Sequence, residues 1–220
     1  MTTTRRRAGR SAEILDVFTR HVAERGYDRT RFSDIAAELG IAQGTIVHHY
    51  GSKERLLASL HESYMRRRID EAHLIIGRLS SPAEQLAGLL YAFMLYQEYD
   101  RDATVAFQRD IARLSDHPML AEGVRLRAEY LGLVRGVIRA GVEAGQFRDR
   151  DVALRSLLLF GSAQWAWTWY DVNGPRNARQ VGAELVDLAL GSLLIRRTAL
   201  GRLTDPDGEI PRVVLECLGG

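Results

Sequence analysis

From Gln43 to Lys53 the chain has no aspartate or glutamate, and it places Gly44, Thr45, His48, His49 and Lys53 within eleven residues. On a helix that turns about 100° per residue, Gly44, Thr45, His48 and His49 share one side, while Ile46 and Tyr50 point to the other. A face with one glycine, three hydrogen-bonding side chains and no acid suits the major groove of a nucleic-acid duplex. Gly44 lets the helix approach a sugar-phosphate backbone, and Thr45 can bond a phosphate or touch a thymine methyl. His48 and His49 can reach base acceptors or phosphates. Lys53 opens the next helix, where exposed backbone N–H groups reinforce its attraction for a phosphate. Thr30, Arg31 and Gln43, at the starts of the two short helices, complete the candidate contacts.

Other chemistries fit these residues poorly. Adjacent histidines on a helix diverge by about 100° and cannot easily share an ion, and no further His or Cys stands nearby at ligand spacing. No metal site is expected. The chain contains no phosphate-cradling glycine loop, nucleophile elbow or His-Glu-x-x-His pattern, so neither catalytic residues nor a cofactor are expected.

The elements that must position this face are helical. Residues 11–25 bring Ile14, Val17, Phe18 and Val22 to one side and stop at Gly26. Thr30 is expected to cap a second helix in which Phe32, Ile35, Ala36 and Leu39 follow the spacing i, i+3, i+4, i+7. Gly40 permits the sharp turn into a third helix at 43–50, which is too short to stand without packing. Ser52 caps a fourth helix to about Gly77, with Leu56, Leu57, Leu60 and Tyr64 inward. Beyond it, Ser81-Pro82 opens a helix to about Tyr99, and another runs from Asp100 or Asp102 to about Ser115. His117-Pro118 starts one that ends near Gly145, Asp149 caps one over 151–172, and Asn177 caps one over 178–197. The reading is all-α, about nine helices, with no internal repeat. The tail 198–220 reads as turn-like, with Arg212–Leu218 a short strand or docked segment.

With 46% hydrophobic and 26% charged residues the chain can bury a core, and five prolines in 220 residues favour helices. Residues 1–68 carry a net +5, much of it from Arg5, Arg6, Arg7 and Arg10, and the remainder carries −3. A basic end on a slightly acidic body suits a polyanion-binding module joined to a domain with another task; a solvated basic tail is the plainer alternative. One cysteine, Cys217, excludes an intramolecular disulfide framework and fits a cytoplasmic location. Neither a signal peptide nor a membrane span is expected.

The run from Phe32 to Leu57 resembles the TetR family of bacterial regulators. Thr30, Ile35, Ala36, Gly40, Gly44, Thr45, Ile46, His49, Lys53, Glu54 and Leu56 match its pattern, and the likeness extends over about residues 8–68. Lys53, the chain's one lysine, stands at the family's lysine position. Val47 occupies the place of a phosphate-bonding tyrosine, Ala42 that of a capping serine, and Tyr50 that of a phenylalanine. The second half resembles, more weakly, a branch that senses CoA thioesters in lipid and steroid breakdown. The similar stretches are Phe107–Leu114, Gly141–Arg148, and Trp169-Tyr170 followed by Gly174-Pro175. Phe160 and Gln164 stand where that branch tends to place arginine and tryptophan toward the ligand.

The resemblance implies a helix-turn-helix DNA-binding domain at 8–68, with the motif itself at 31–50, and a ligand-binding and dimerisation domain at 69–197. It further implies a homodimer on pseudo-palindromic double-stranded operator DNA, released by a small hydrophobic effector that is acyl-CoA-like if the weaker likeness holds. All three tryptophans lie in Trp165–Tyr170 on an expected helix, and either pack a core or dimer seam or wall a ligand pocket. Phe93, Tyr96, Phe107, Arg109, Tyr130, Gln164 and Trp165 are the candidate pocket residues, Arg109 meeting an acidic ligand end. The expected dimer seam pairs a stripe of Leu154, Leu158, Gly161 and Trp165 with one of Gly182, Val186, Ala189 and Leu193. An activating or ligand-independent regulator stays open on sequence, as does, more remotely, an all-α enzyme.

Overall fold

The computed structural model describes residues 2–110 and 118–219, with side chains described from Gly9 onward except that of Asp110. The described residues form eleven α-helices: α1 (Thr2–Arg25), α2 (Phe32–Leu39), α3 (Gln43–Tyr50), α4 (Lys53–Arg78), α5 (Pro82–Tyr99), α6 (Arg101–Asp110), α7 (Ala121–Glu143), α8 (Val152–Gln164), α9 (Ala178–Leu193), α10 (Leu200–Leu203) and α11 (Glu209–Leu218). The expected helix end at Ser115, and His117, lie outside the described residues. The only β pairing among them is a single bridge between Phe147 and Leu194. The chain divides into two compact units. The first holds residues 1–66 and 102–126, and the second holds 67–101 and 127–220.

In the first unit, Ile14, Phe18 and Val22 of α1, Ile35 of α2, Ile46 of α3 and Leu56 of α4 are all fully buried. Two helices of eight residues each cannot persist alone, and this shared core holds them. Ion pairs along the rim add orientation: Glu38 of α2 takes Arg20 and His21 of α1, and Arg25 pairs with Asp34 at 3.2 Å. The hydrogen bond from His21 holds the Glu38 carboxyl below the usual carboxylate range. Phe107 of α6 stacks on Tyr64 with centroids 4.4 Å apart and meets His61 at 4.7 Å.

The second unit is organised by α5, twelve of whose eighteen residues are buried. A helix that is apolar all round must be enclosed. Its N-terminus is fixed by a capping box in which Ser81 and Glu84 each bond the other's backbone, with proline at the first turn. Helix α9 lies against it so closely that a Cβ at Gly182 would stand 2.6 Å from Cδ1 of Tyr91. The stripe Gly182, Val186, Ala189 and Leu193 is therefore spent inside this core, which corrects its assignment to a dimer seam. Asn177 caps α9 in a second capping box with Gln180.

Three further sequence expectations change. The tail is helical: Ile210, Pro211, Val214 and Cys217 of α11 are buried at helical spacing, and α11 packs along α5. Pro211 sits in the first turn, where its missing N–H costs nothing, and the run Val213-Val214-Leu215 only resembled a strand. Asp151, not Asp149, caps α8 through the Leu154 N–H at 3.0 Å. The helix expected through residue 172 ends at Gln164, and Trp165–Thr168 tightens into a 3-10 turn. That turn buries Ala163, Ala166 and Tyr170 and leaves Trp165 and Trp169 65% and 56% exposed.

Gly182→Ala should destabilise the chain by roughly 1–3 kcal/mol through overpacking against Tyr91. Gly132→Ala, on an exposed position of α7 with nothing within 4 Å, should stabilise it by up to about 1 kcal/mol. Urea unfolding of the two variants checks the contrast.

Candidate nucleic-acid interface

The turn between α2 and α3 depends on Gly40, whose φ of 60° and ψ of 37° lie in the left-handed region that a side chain disfavours. The Ile41 N–H returns to the Ala36 carbonyl at 2.9 Å and closes the α2 end. Helix α3 then starts at Gln43 with Ala42 as its N-cap. Its N-cap side chain makes no bond to the first turn; the Thr45 N–H closes on the Ala42 carbonyl at 2.9 Å, which leaves the Gln43 and Gly44 N–H groups for an outside acceptor.

Ile46 locks the inner side of α3, while Gln43, Gly44, Val47 and His48 are exposed and Thr45 and His49 half-buried. The Tyr50 hydroxyl accepts from Ser11 Oγ at 2.9 Å and donates to the Ser11 carbonyl at 2.7 Å, so it ties the end of α3 to α1. The hydroxyl that distinguishes Tyr50 from the family's phenylalanine is thus in use. The rings of His48 and His49 meet edge to face at 5.7 Å. Lys53 places its Nζ 4.2 Å above the Tyr27 ring, whose hydroxyl donates to Glu54 at 3.3 Å; this fixes the ammonium at the α4 N-terminus.

The structure gathers Gln43, Gly44, Thr45, His48 and His49 on one helix, with Lys53 on the helix that follows. Arg31 is exposed as the N-cap of α2. Thr30 does not join them. It is 1% exposed, donates to the Gly26 carbonyl at 2.9 Å and makes no cap bond to α2. Its hydroxyl satisfies a carbonyl just past the α1 end, a structural duty that the sequence reading mistook for capping and contact. Val47, 48% exposed, stands on the outer side of α3, at the place of the family's phosphate-bonding tyrosine. The side chains of Arg5, Arg6 and Arg7 lie outside the described residues.

The candidate effector residues separate. Arg109 and Phe107 belong to the first unit, where Arg109 Nη1 donates to the Ala23 carbonyl at 3.1 Å. It satisfies an open carbonyl in the last turn of α1, which removes it as the partner of an acidic ligand end. In the second unit, Phe93 and Tyr130 meet at 5.9 Å, and Phe160 meets both, at 5.2 and 5.7 Å. Tyr96 contacts Phe93 at 6.5 Å, and its other side carries the Arg68 guanidinium, 3.9 Å from the ring centre. Gln164 lies one turn beyond Phe160, half-buried. Trp165 faces out and walls nothing within its own chain. Gln97 and Arg127 were not singled out from the sequence, although Gln97, an amide in the apolar C-terminal half of α5, carried a signal.

A three-helix unit presenting an acid-free, polar face on its third helix, followed by a helical domain built around a buried α5, is the architecture of a helix-turn-helix regulator. The family model described as bacterial regulatory proteins, tetR family, matches residues 14–60, and that described as tetracyclin repressor-like, C-terminal domain, matches residues 79–193. The chain belongs to the TetR family of DNA-binding transcriptional regulators. It is similar to the HTH-type transcriptional repressor KstR2 of Mycolicibacterium smegmatis, 29% identical over 187 residues, which cover 84% of this chain and 91% of that one. The solved structure of the ketosteroid transcriptional regulator KstR2 of Mycobacterium tuberculosis superposes with a TM-score of 0.76 at 28% identity, covering 85% of this chain and 96% of that one. The fold is also shared with AibR, solved in complex with isovaleryl coenzyme A and operator DNA. There the TM-score is 0.75 at 19% identity, over 81% of this chain and 97% of that one. Helices α10 and α11 lie beyond the matched C-terminal model.

His48→Ala should relax base preference at one position per half-site and weaken specific binding by roughly 1–3 kcal/mol. Lys53→Ala should weaken all duplexes alike and flatten the dependence of affinity on salt. Titrations of specific and scrambled duplexes at several salt concentrations separate the two; unchanged sequence preference in His48→Ala removes its base-reading role.

Proposed function

We propose that this chain is a homodimeric repressor of the cytoplasm that binds a pseudo-palindromic operator through α3 and leaves it when a mainly apolar effector occupies the second unit. The observation that carries the reading is the acid-free outer face of α3, held by a buried Ile46 and a bonded Tyr50. Thr45 and His48 read base edges, with Gln43, His49, Lys53 and Arg31 at phosphates. The repressors among its relatives support the regulatory sign, and a fold shared with a protein solved with isovaleryl coenzyme A is compatible with an acyl-CoA-like ligand.

Dimerisation rests on a separate observation. Leu154, Leu157, Leu158 and Trp165 of the α8 segment are each more than half exposed, and so is Leu188 of α9, 70% exposed. Arg155 donates to Ser192 at 3.1 Å, which joins the two helices beside this surface. Apolar side chains exposed together in this way mark an interaction surface. A two-fold pairing through it presents two recognition helices to half-sites about 34 Å, one helical turn, apart. The effector must then bind the DNA-incompetent state more tightly, and DNA in turn weakens effector binding. No helix among the described residues is long and apolar enough to cross a membrane.

Selection from random duplexes should enrich an inverted repeat with half-site centres about 10 base pairs, or a multiple, apart. Enrichment of no motif would overturn the operator reading. Leu158→Glu and Leu188→Glu should each shift the sedimenting species toward monomer and weaken binding to the full repeat more than to one half-site. A wild-type chain that sediments as a monomer at micromolar concentration removes the dimer.

A further inference from the structure

Aromatic side chains of the second unit form a layer, and three polar residues stand one turn beyond it on the same helices. Helix α5 runs antiparallel to α7: Ala83, at the start of α5, donates to Gln146 just past the α7 end at 3.1 Å, and Phe93 further along meets Tyr130. Helix α7 is likewise antiparallel to α8, since Arg135 bonds Ser156 at 3.1 Å while the earlier Tyr130 meets the later Phe160. One turn toward the C-terminus of α5 from Phe93 is Gln97. One turn toward the N-terminus of α7 from Tyr130 is Arg127, and one turn along α8 from Phe160 is Gln164. Each step advances roughly 4.5–6 Å in the same direction, so the three share a level.

These groups differ from the polar residues that merely hold the fold. Gln97 is 0% exposed, and neither its amide nitrogen nor its amide oxygen has a hydrogen-bond partner among the described residues. Arg127 is half-buried and has no carboxylate partner among them. Burial lowers its pKa, as expected of a cation without a counter-charge. The neighbouring Arg68 shows the contrast: it is 4% exposed and paired with Glu71 at 2.9 Å and Asp100 at 3.1 Å. Arg67 adds a second cation to Asp100 at 3.2 Å. Glu71 and Asp100 are therefore paired with arginines, and Glu98 is taken by the Tyr170 hydroxyl and the Ala178 N–H, whereas Arg127 is left uncompensated. Buried amides are ordinarily bonded, and a partly desolvated guanidinium at the same level favours an anion.

We propose that Gln97, Arg127 and Gln164 form the polar end of the effector site, and that the effector is an apolar molecule with a single anionic end. This rests on the reading of the second unit as an effector domain. The body packs against Phe93, Tyr96, Tyr130 and Phe160. Arg127 pairs with the anion, and the Gln97 amide donates to one of its oxygens. The anion is a carboxylate on the body itself or a phosphate of an attached carrier; the chemistry toward Arg127 is the same.

The test uses the full-length chain without DNA and three probes in isothermal titration: dodecanoate, dodecan-1-ol and dodecanoyl-CoA. Wild type should bind at least one anionic probe tenfold or more tighter than the alcohol. Arg127→Met should abolish that preference and change affinity for the alcohol less than twofold, and Arg127→Lys should restore part of it. Gln97→Leu should raise the melting temperature, since it removes an unbonded buried amide, and yet weaken the anionic probe. A merely structural glutamine would not move the two in opposite directions. Preference for the free acid places a carboxylate at Arg127, and preference for the thioester alone places a phosphate there. Equal affinity for acid, thioester and alcohol, binding of none of them, or a preference that survives in folded Arg127→Met overturns the proposal. Duplex binding is measured separately, so loss of the regulator reading and loss of this site are distinguishable.

Discussion

Helix α5 has almost no side on which water is welcome, and the second unit is arranged around that fact. Its burial requires neighbours on every face. Helix α9 reaches one face only because Gly182 leaves room for the Tyr91 ring. Another face is covered by α11, whose docking is helped at its rim by Tyr91 donating to the Asp205 carbonyl at 3.3 Å and by Arg78 pairing with Glu216 at 2.9 Å. The C-terminal helices therefore complete an enclosure that the core composition of α5 demands. They also explain how a segment beyond the family's matched region is retained as ordered structure. A helix so buried cannot drift, which makes it a firm wall for the aromatic layer at Phe93 and Tyr96.

The first unit solves a different problem, that of holding an eight-residue recognition helix with little core of its own. One fully buried side chain, Ile46, anchors α3 inward, and its N-cap is an alanine that supplies no bond. What replaces a capping serine is tertiary: the Gly40 turn on one side and the Tyr50–Ser11 pair on the other. The uncapped first turn then keeps the N–H groups of Gln43 and Gly44 available to a phosphate. Two departures from the family pattern, Ala42 and Tyr50, thus shift the anchoring of α3 from local capping to a bond with α1.

Most of the fold was legible because its signals are periodic and local. The buried faces of α1, α2 and α4, the Ser81 and Asn177 caps, and the glycine turn before α3 all follow from spacing and side-chain chemistry. What escaped depended on partners distant in sequence. Thr30 and Arg109 have the composition of contact residues, yet each bonds a carbonyl near the α1 end, and nothing local reveals that carbonyl as open. Gly182, Val186, Ala189 and Leu193 form a good seam by spacing; only the position of Tyr91 shows that the seam lies inside one chain. The tryptophan run was expected within one helix through residue 172, whereas a 3-10 turn of about 120° per residue follows Gln164, a change of winding that no local residue type announces.

The same contrast bears on how an effector could act. Arg68 belongs to α4, just after the point where that helix passes from the first unit's residues to the second's, and it is pinned to Asp100 at the α5 end. The pin lies within one turn of Gln97 along the chain, so a molecule that draws on the polar layer draws on the segment that fixes α4. Breaking a buried pair by removing one partner is worth roughly 3–5 kcal/mol. Reversing a 1:99 population requires about 5.5 kcal/mol of differential affinity. Arg68 keeps Glu71 and Asp100 keeps Arg67 when the pin opens, so loosening it costs less than removing a partner and supplies only part of such a switch. Tight binding alone does not: a ligand that leaves the Arg68–Asp100 geometry equally satisfied in both states shifts neither, whatever its affinity.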